Sequence, residues 1–374
     1  MKNFKAGNTT NQGSYESFQP TFIDREWIIE DMGLLTLLSQ ADRQLGRLDM
    51  YSEYIPNIDL FISMHVLKEA TKSSKIEGTK TNIEDALLDQ EDITEEKRED
   101  WHEVQNYISA LNAAIENLET LPFSSRLIKE THKILLQGVR GKRKNPGEFR
   151  SSQNWIGGAT INTATFIPPV HTSVNNYMSD LEKFVHNNDY QLPDLLKIAL
   201  IHYQFETIHP FLDGNGRVGR LMITLYLVEK GILKRPILYL SDFFERNRTL
   251  YYDNLMKVRL QNDLFSWFKF FLEGIIETAK IGISTFDKIF KLKEEVEEKL
   301  VGLGSRSNNS RVLVNHMFQK PMIDSQKAKN LTGLSLPSAY KLIDDLDRLN
   351  IISEVTGAKR GKLYIFKSYV DLFK

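Results

Sequence analysis

From residue 21 to about residue 115 the apolar positions recur at helical spacing. Leu60, Met64 and Leu67 stand at i, i+4 and i+7, one face of an amphipathic helix. That helix runs into SSKIEG, residues 73–78, where Gly78 suits the left-handed conformation of a helix C-terminus. Thr81 with Glu84 then spells a capping box that opens the next helix. The stretch DQEDITEEKRED, 89–100, reads as a solvated helix or turn. Residues 120–145 read as helix again. At 145–170, NPGEFRSSQNWIGGATINTATFIPPV, the texture changes to Gly, Thr, Ile, Phe and Trp; this predicts a β-hairpin with flanking loops, with Thr160 and Ile161 at the strand centre. Helix resumes from Ser173 to about Gly231, broken at His209-Pro210, and again from Asp242 to Leu300. SRSNNS, 305–310, is a loop and a domain boundary. Beyond it come three helices and two strands, IISEVT and KLYIFK, joined by GAKRG, the element order of a winged helix-turn-helix.

The pattern therefore predicts a mainly α protein, with a helical core carrying a β-hairpin and a C-terminal winged helix-turn-helix domain. Its expected parts are a flexible tail at 1–20, a helical region at 21–115, a core with following helices at 116–300, and the winged segment at 305–374. The tail, MKNFKAGNTTNQGSYESFQP, is polar and has no apolar stretch of a signal peptide.

Composition narrows the chemistry. The chain has 374 residues, 41% of them hydrophobic, enough for a substantial core. It has no cysteine, which excludes a disulfide scaffold, a thiol nucleophile and a thiolate zinc site, and fits a reducing cytoplasm. No apolar run approaches the ~20 residues that span a bilayer, so no membrane partner is expected.

HPFLDGNGRVGR, residues 209–220, concentrates the chemistry. Pro210 disfavours helix for the residue before it, so the preceding helix ends near Ile208 and His209 faces a loop. Gly214 and Gly216 can take positive φ and bare consecutive N–H groups at the start of the next helix, a cradle for an anion. Arg217 and Arg220 are three apart on the first turn and suit phosphate oxygens. Asp213, between the histidine and the cradle, could hold Mg²⁺ against a polyphosphate. These parts describe a nucleoside triphosphate held by its phosphates beside a histidine base. A metal reading of His202, Glu206, His209 and Asp213, at i, i+4, i+7 and i+11, requires one continuous helix. Pro210 interrupts that helix, and the metal reading leaves the arginines without work.

The segment resembles, position by position, the Fic domain signature HxFxxGNGRxxR, and the chain agrees with a branch of that family over nearly its whole length. The resemblance implies a protein adenylyltransferase that moves AMP from ATP, with Mg²⁺, to a Ser, Thr or Tyr hydroxyl of a target protein. It implies His209 as the base, Asp213 as the Mg²⁺ ligand, and Gly214, Asn215, Gly216, Arg217, Val218, Gly219 and Arg220 as the nucleotide-binding run. Phe211 would anchor the loop in the core. Family variants that phosphorylate carry Lys where Gly216 stands. SSKIEG resembles the family's inhibitory motif [ST]xxxE[GN] through Ser73, Glu77 and Gly78; the resemblance implies that Glu77 pairs with Arg220 and blocks the productive pose of ATP. The predicted hairpin resembles a flap that docks the target segment by its strand edge, and Tyr252 of YYDNL matches a residue near the adenine. Homodimers are expected only by this resemblance.

The C-terminal segment, 305–374, carries 12 Lys and Arg against 6 Asp and Glu in a chain of net charge −1. The basic turn GAKRGK could meet a phosphate backbone, whereas Asp344, Asp345 and Asp347 on LPSAYKLIDDLDRL, the helix in the recognition position, would repel one. Two alternatives stand beside AMP transfer: a DNA-binding regulator whose core is regulatory, and a hydrolase that removes AMP from targets at the same site.

Overall fold

The computed structural model describes residues 4–54, 58–139, 141, 143–357 and 361–374. In chain order it contains β1 (Gly7–Asn11), β2 (Glu16–Pro20), α1 (Met32–Tyr54), α2 (Asp59–Ile76), α3 (Ile83–Leu87), α4 (Glu95–Asn117), α5 (Ser125–Leu135), α6 (Val174–His186), α7 (Asp194–Ile208), α8 (Asn215–Glu229), α9 (Ser241–Arg246), α10 (Arg248–Gln261) and α11 (Leu264–Val301). After α11 come α12 (Ser307–Met317), β3 (Met322–Asp324), α13 (Ser325–Thr332), α14 (Leu336–Arg348), β4 (Ser353–Glu354), β5 (Leu363–Ile365) and α15 (Lys367–Val370). The protein is mainly helical, as its periodicity predicts.

α7 is the centre. Every residue from Leu195 to Ile208 is buried, the mark of a helix enclosed on all sides. It packs against α8, α6, α11, α1 and β2. α11 is 38 residues long, about 57 Å at helical rise. It packs against α7, α9 and α10, runs along α1, and meets α12 and α15. α2 packs on α4, α8 and α9. Met64 and Leu67 are buried as the pattern predicts; the Leu60 side chain lies outside the described residues. No helix among the described residues is long and apolar enough to cross a membrane.

Five expectations change. Residues 7–20 form an antiparallel hairpin, with Gly7 opposite Pro20 and Asn11 opposite Glu16. Phe18 is buried against Phe166, its N–H donates to the Ile167 carbonyl, and Ala6 N–H donates to Asn262 Oδ1 at 2.8 Å. A polar tail thus docks through a few anchors that composition averages away. The cap of α3 shifts by one: Asn82 Oδ1 accepts from Asp85 N–H at 2.7 Å, while Thr81 is buried just before it. In the segment 154–168 the only strand-like pairing among the described residues is one bridge, Ile156 to Phe166. Gly157 and Gly158, at φ +70° and +71°, turn the chain left-handed before strands can extend. Thr160 and Ile161 therefore stand at the tip of a short 3₁₀ turn, with Thr160 exposed, rather than at a strand centre. The fourth change is a third strand at the C-terminus: β3 pairs with β5, which also pairs with β4, giving the order β3-β5-β4. The fifth is SRSNNS, which is no loop but a 3₁₀ turn at Gly304–Arg306 running into α12 at Ser307. Lys359 and Arg360 of GAKRG lie outside the described residues.

The C-terminal segment packs on α2. Phe318 meets Phe61 edge to face at 5.6 Å, Phe373 meets His65 at 5.0 Å, and Ser63 Oγ donates to the Gln319 carbonyl. Lys374 Nζ bridges to Glu84 at 2.6 Å.

Candidate functional site

α7 ends at Ile208, and His209 takes φ +49°, ψ +60°. A non-glycine residue there costs about 1–2 kcal/mol, so neighbours must hold it. The His209 carbonyl accepts from Arg150 Nε at 3.0 Å and Asn154 Nδ2 at 3.2 Å. Arg150 is buried; its guanidinium also donates to the Ile208 and Pro169 carbonyls, and its own N–H donates to Pro210 O.

The loop after His209 is clasped from within. Phe211 N–H donates to Asn215 Oδ1, and Asn215 Nδ2 donates to Phe211 O, both at 2.8 Å. The Asn215 side chain is therefore spent on loop shape, leaving its backbone N–H for a ligand. Phe211 is fully buried, as expected of the anchor, and the His132 ring stacks on it at 3.7 Å, 8° from parallel. Gly147 N–H donates to His132 Nδ1, so the ring proton sits on Nε2 and is donated to the Asp213 carbonyl. Burial pushes His132 down to about 4, keeping it neutral in this role.

Gly214 caps α8 at φ +76°. Gly216 lies inside α8 with ordinary helical φ, against expectation; its missing side chain serves space instead. A Cβ there would stand 2.3 Å from Glu77 Oε1 and 2.9 Å from Arg220 Nη1. The first turn of α8 leaves N–H groups without helical partners, and the helix dipole favours an anion there. Asp213 borders this turn. Its side chain is 39% exposed, Oδ1 accepts from Gly214 N–H at 2.6 Å, and Arg217 Nη2 is 3.6 Å away. An accessible carboxylate of this kind fits Mg²⁺ shared with a polyphosphate, which uses one or two carboxylates rather than a protein cage. No group of three metal-ligating side chains gathers among the described residues. His202, from the metal alternative, is taken by the Gly219 carbonyl and Tyr251 Oη, both at 2.9 Å.

Both motif arginines are engaged. Arg220, with its side chain 1% exposed, donates from Nε to Ser73 Oγ and from Nη2 to the Ser73 carbonyl and to Glu77 Oε1, the last at 2.7 Å. Burial alone would raise the Glu77 carboxyl, but the Arg220 charge and hydrogen bond outweigh it and hold it below the usual range. Glu77 is surrounded by protein yet keeps 35% of its side-chain surface open. Gly78, at φ +107°, ends α2 directly after it, as predicted. Arg217 Nη1 donates to Glu103 Oε2 at 2.9 Å, both side chains almost fully buried. Removing one member of such a pair strands the other charge. Glu103→Ala should cost about 3–5 kcal/mol of stability and Glu103→Gln less, read by denaturant unfolding; an Ala variant as stable as the parent would show the pair to be idle.

Val218 and Gly219 depart from the predicted nucleotide run. Val218 is in the core, and a Cβ on Gly219 would stand 2.4 Å from Glu206 Oε1. Tyr251 and Tyr252 divide their roles. Tyr251 is buried on His202, whereas Tyr252 is 37% exposed and lies within the fields of Glu77 and Arg220.

Sequence reasoning missed Glu103, His132, Arg150 and Asn154. Two carried a signal. Glu103 shares a face with Tyr107 and Ala110, and His132 with Ile128 and Leu135, at i, i+4, i+7; a polar residue in a core register marks a buried partner. Arg150 and Asn154 sit in loop, where no period exists to violate.

Residues 35–116 match the family model "Fic/DOC family N-terminal", and residues 122–227 match the model "Fic/DOC family". A probable protein adenylyltransferase of Aquifex aeolicus is 39% identical over 89 residues, 24% of this chain and 26% of that protein. The protein adenylyltransferase Fic of Drosophila willistoni is 27% identical over 204 residues, 52% of this chain and 37% of that protein. The chain thus spans well under half the length of these relatives. In fold it is similar to a Fic family protein from Desulfovibrio desulfuricans, with TM-score 0.59 at 18% identity over 91% of this chain and 98% of that one.

Proposed function

Because the chain belongs to the Fic/DOC family, we propose that it is a protein adenylyltransferase held in check by its own α2. The observation that carries the reading is the junction of α7 and α8, where a neutral histidine, a bare helix N-terminus and two buried arginines converge. Burial lowers His209 to about 3, helped by Arg259 and Arg150 and opposed by Glu77, so at neutral pH the ring is unprotonated and ready to accept a proton. Its Nδ1 is buried, which leaves Nε2 to take the proton from a target Ser, Thr or Tyr hydroxyl. The hydroxyl oxygen then bonds to the α-phosphorus of ATP. The bond from that phosphorus to the bridging oxygen breaks, and pyrophosphate leaves with the electron pair.

The N–H groups of Asn215, Gly216 and Arg217 would receive phosphate oxygens, and the Arg217 and Arg220 guanidiniums would offset the charge on the leaving pyrophosphate. Asp213 would hold Mg²⁺, which neutralises phosphate charge when bound. Tyr252 would wall the base. The exposed tip with Thr160 would meet the target. Glu77, occupying Arg220, would keep ATP out of the productive pose, with Ser73 and Gly78 fixing its position. For 305–374 we favour a protein-packing role. Asp344 and Asp347 are exposed on α14, Asp345 is buried and paired with Arg306, and the segment already engages α2.

The test is label transfer. With ATP and Mg²⁺, α-phosphorus label should enter the chain itself or proteins of a cell lysate, and γ-phosphorus label should not. Transfer of γ-label would make it a kinase. Tight, salt-sensitive DNA binding with no transfer from either position would replace the enzyme with a regulator.

A further inference from the structure

A buried carboxyl group lies behind the histidine with no task in the scheme above. Glu206 sits on the last turn of α7, three residues before His209, with 8% of its side chain exposed. Its Oε2 lies 3.9 Å from His209 Nδ1. Glu206 Oε1 and His209 Nδ1 are both buried without a hydrogen-bond partner. The carboxyl and the ring are neighbours whose nearest recorded approach is Oε2 to Nδ1; each keeps one buried polar atom open and lacks what the other supplies. The space is made for this acid: Gly219 has no side chain, and a Cβ there would fall 2.4 Å from Oε1. The backbone carbonyl of Glu206 also faces the ring while accepting from Arg259 Nη2 at 3.0 Å, and with two lone pairs it is the competing acceptor for the Nδ1 proton.

We propose that Glu206 is a positioning residue for His209: its carboxylate accepts the Nδ1–H proton and so presents an unprotonated Nε2 to the incoming hydroxyl. A closure of about 1 Å brings the pair to hydrogen-bond length, and such contacts tighten when substrate binds. As His209 takes the hydroxyl proton, the carboxylate stabilises the imidazolium. The groups facing Glu206 are His209, Glu77 from α2, Arg220 from α8, and Tyr251, Tyr252 and Arg259 from α10. Burial raises Glu206 to about 7; Arg220 and Arg259 lower it and Glu77 raises it further. The carboxylate form therefore prevails above pH 7 and is lost below it.

The inference rests on His209 being the base, and its test has a readout apart from transfer. In the full chain labelled with ¹⁵N-histidine, His209 is assigned by difference from His209→Ala. Its proton should sit on Nδ1 at pH 8 and move toward Nε2 in Glu206→Gln. An Nε2 proton in the parent, or a tautomer indifferent to Glu206→Gln, overturns the proposal whatever the activity, since a ring held by the backbone carbonyl would not respond. In α-label transfer, Glu206→Gln should lower kcat by at least about tenfold, toward the roughly 10⁴-fold of a lost orienting carboxylate, with KM for ATP within about threefold. The parent rate should rise with pH through about 7, and Glu206→Gln should flatten that limb. Glu206→Asp should restore part of both. Unchanged kcat and an unchanged limb overturn the proposal. The expected tautomer with no α-label transfer would instead overturn AMP transfer and leave the pair standing.

Discussion

Replacing Glu77 by glycine should raise AMP transfer from ATP by roughly 10–100-fold. That gain comes from what the side chain does. Its Oε1 accepts from Arg220 Nη2 at 2.7 Å, and a hydrogen bond to a charged group is worth about 1.5–3 kcal/mol, or about one to two decades in rate. ATP must break that bond to use Arg220, and it must bring its γ-phosphate near a carboxylate. Glycine removes both obstacles and leaves Arg220 held by Ser73 Oγ and the Ser73 carbonyl. Glu77→Gln should fall between parent and glycine variant, since it keeps an acceptor and loses the charge. The check is the initial rate of α-label incorporation at fixed ATP and Mg²⁺. A glycine variant within about twofold of the parent would sink the inhibitory role. The pair should also be indifferent to pH near neutrality. Arg220 depresses the Glu77 carboxyl below its ordinary value. The stabilisation is therefore complete above the unfolded carboxylate range of about 4.3 and is lost only as pH falls through the lower folded value. A change from pH 8 to pH 6 should not release the latch.

The second large effect is His209→Ala in the Glu77→Gly background, which should reduce transfer by about 10²–10⁴-fold, the usual worth of a positioned general base. ATP affinity should hold within about threefold, because the phosphate contacts belong to α8. Alanine is less at ease at φ +49° than histidine, so His209→Asn, which tolerates that region, separates chemistry from backbone strain. Both variants dead and folded would support the role. Full transfer by either would assign the proton to another group.

The amino-acid sequence was enough for the helical class, because helices declare themselves within a dozen residues. It was also enough for the end of α7 at Ile208, since Pro210 acts on its neighbour. The pairing of Glu77 with Arg220 was legible only through the Fic resemblance, because 143 residues separate the two. The tail hairpin was not legible: Phe18 is one apolar residue in a polar stretch, and its burial depends on Phe166 and Ile167. Gly157 and Gly158 look like hairpin glycines until their φ values shorten the strands to one bridge. The roles of Gly216 and Gly219 were hidden for the same reason, since the space they leave is filled by Glu77 and Glu206 from other helices. Local rules of helix, turn and cap act within about four residues and can be read along the chain. Burial, ion pairing and the vacancy a glycine leaves are set by residues that only folding brings near, and these decided which atoms around His209 are open to chemistry.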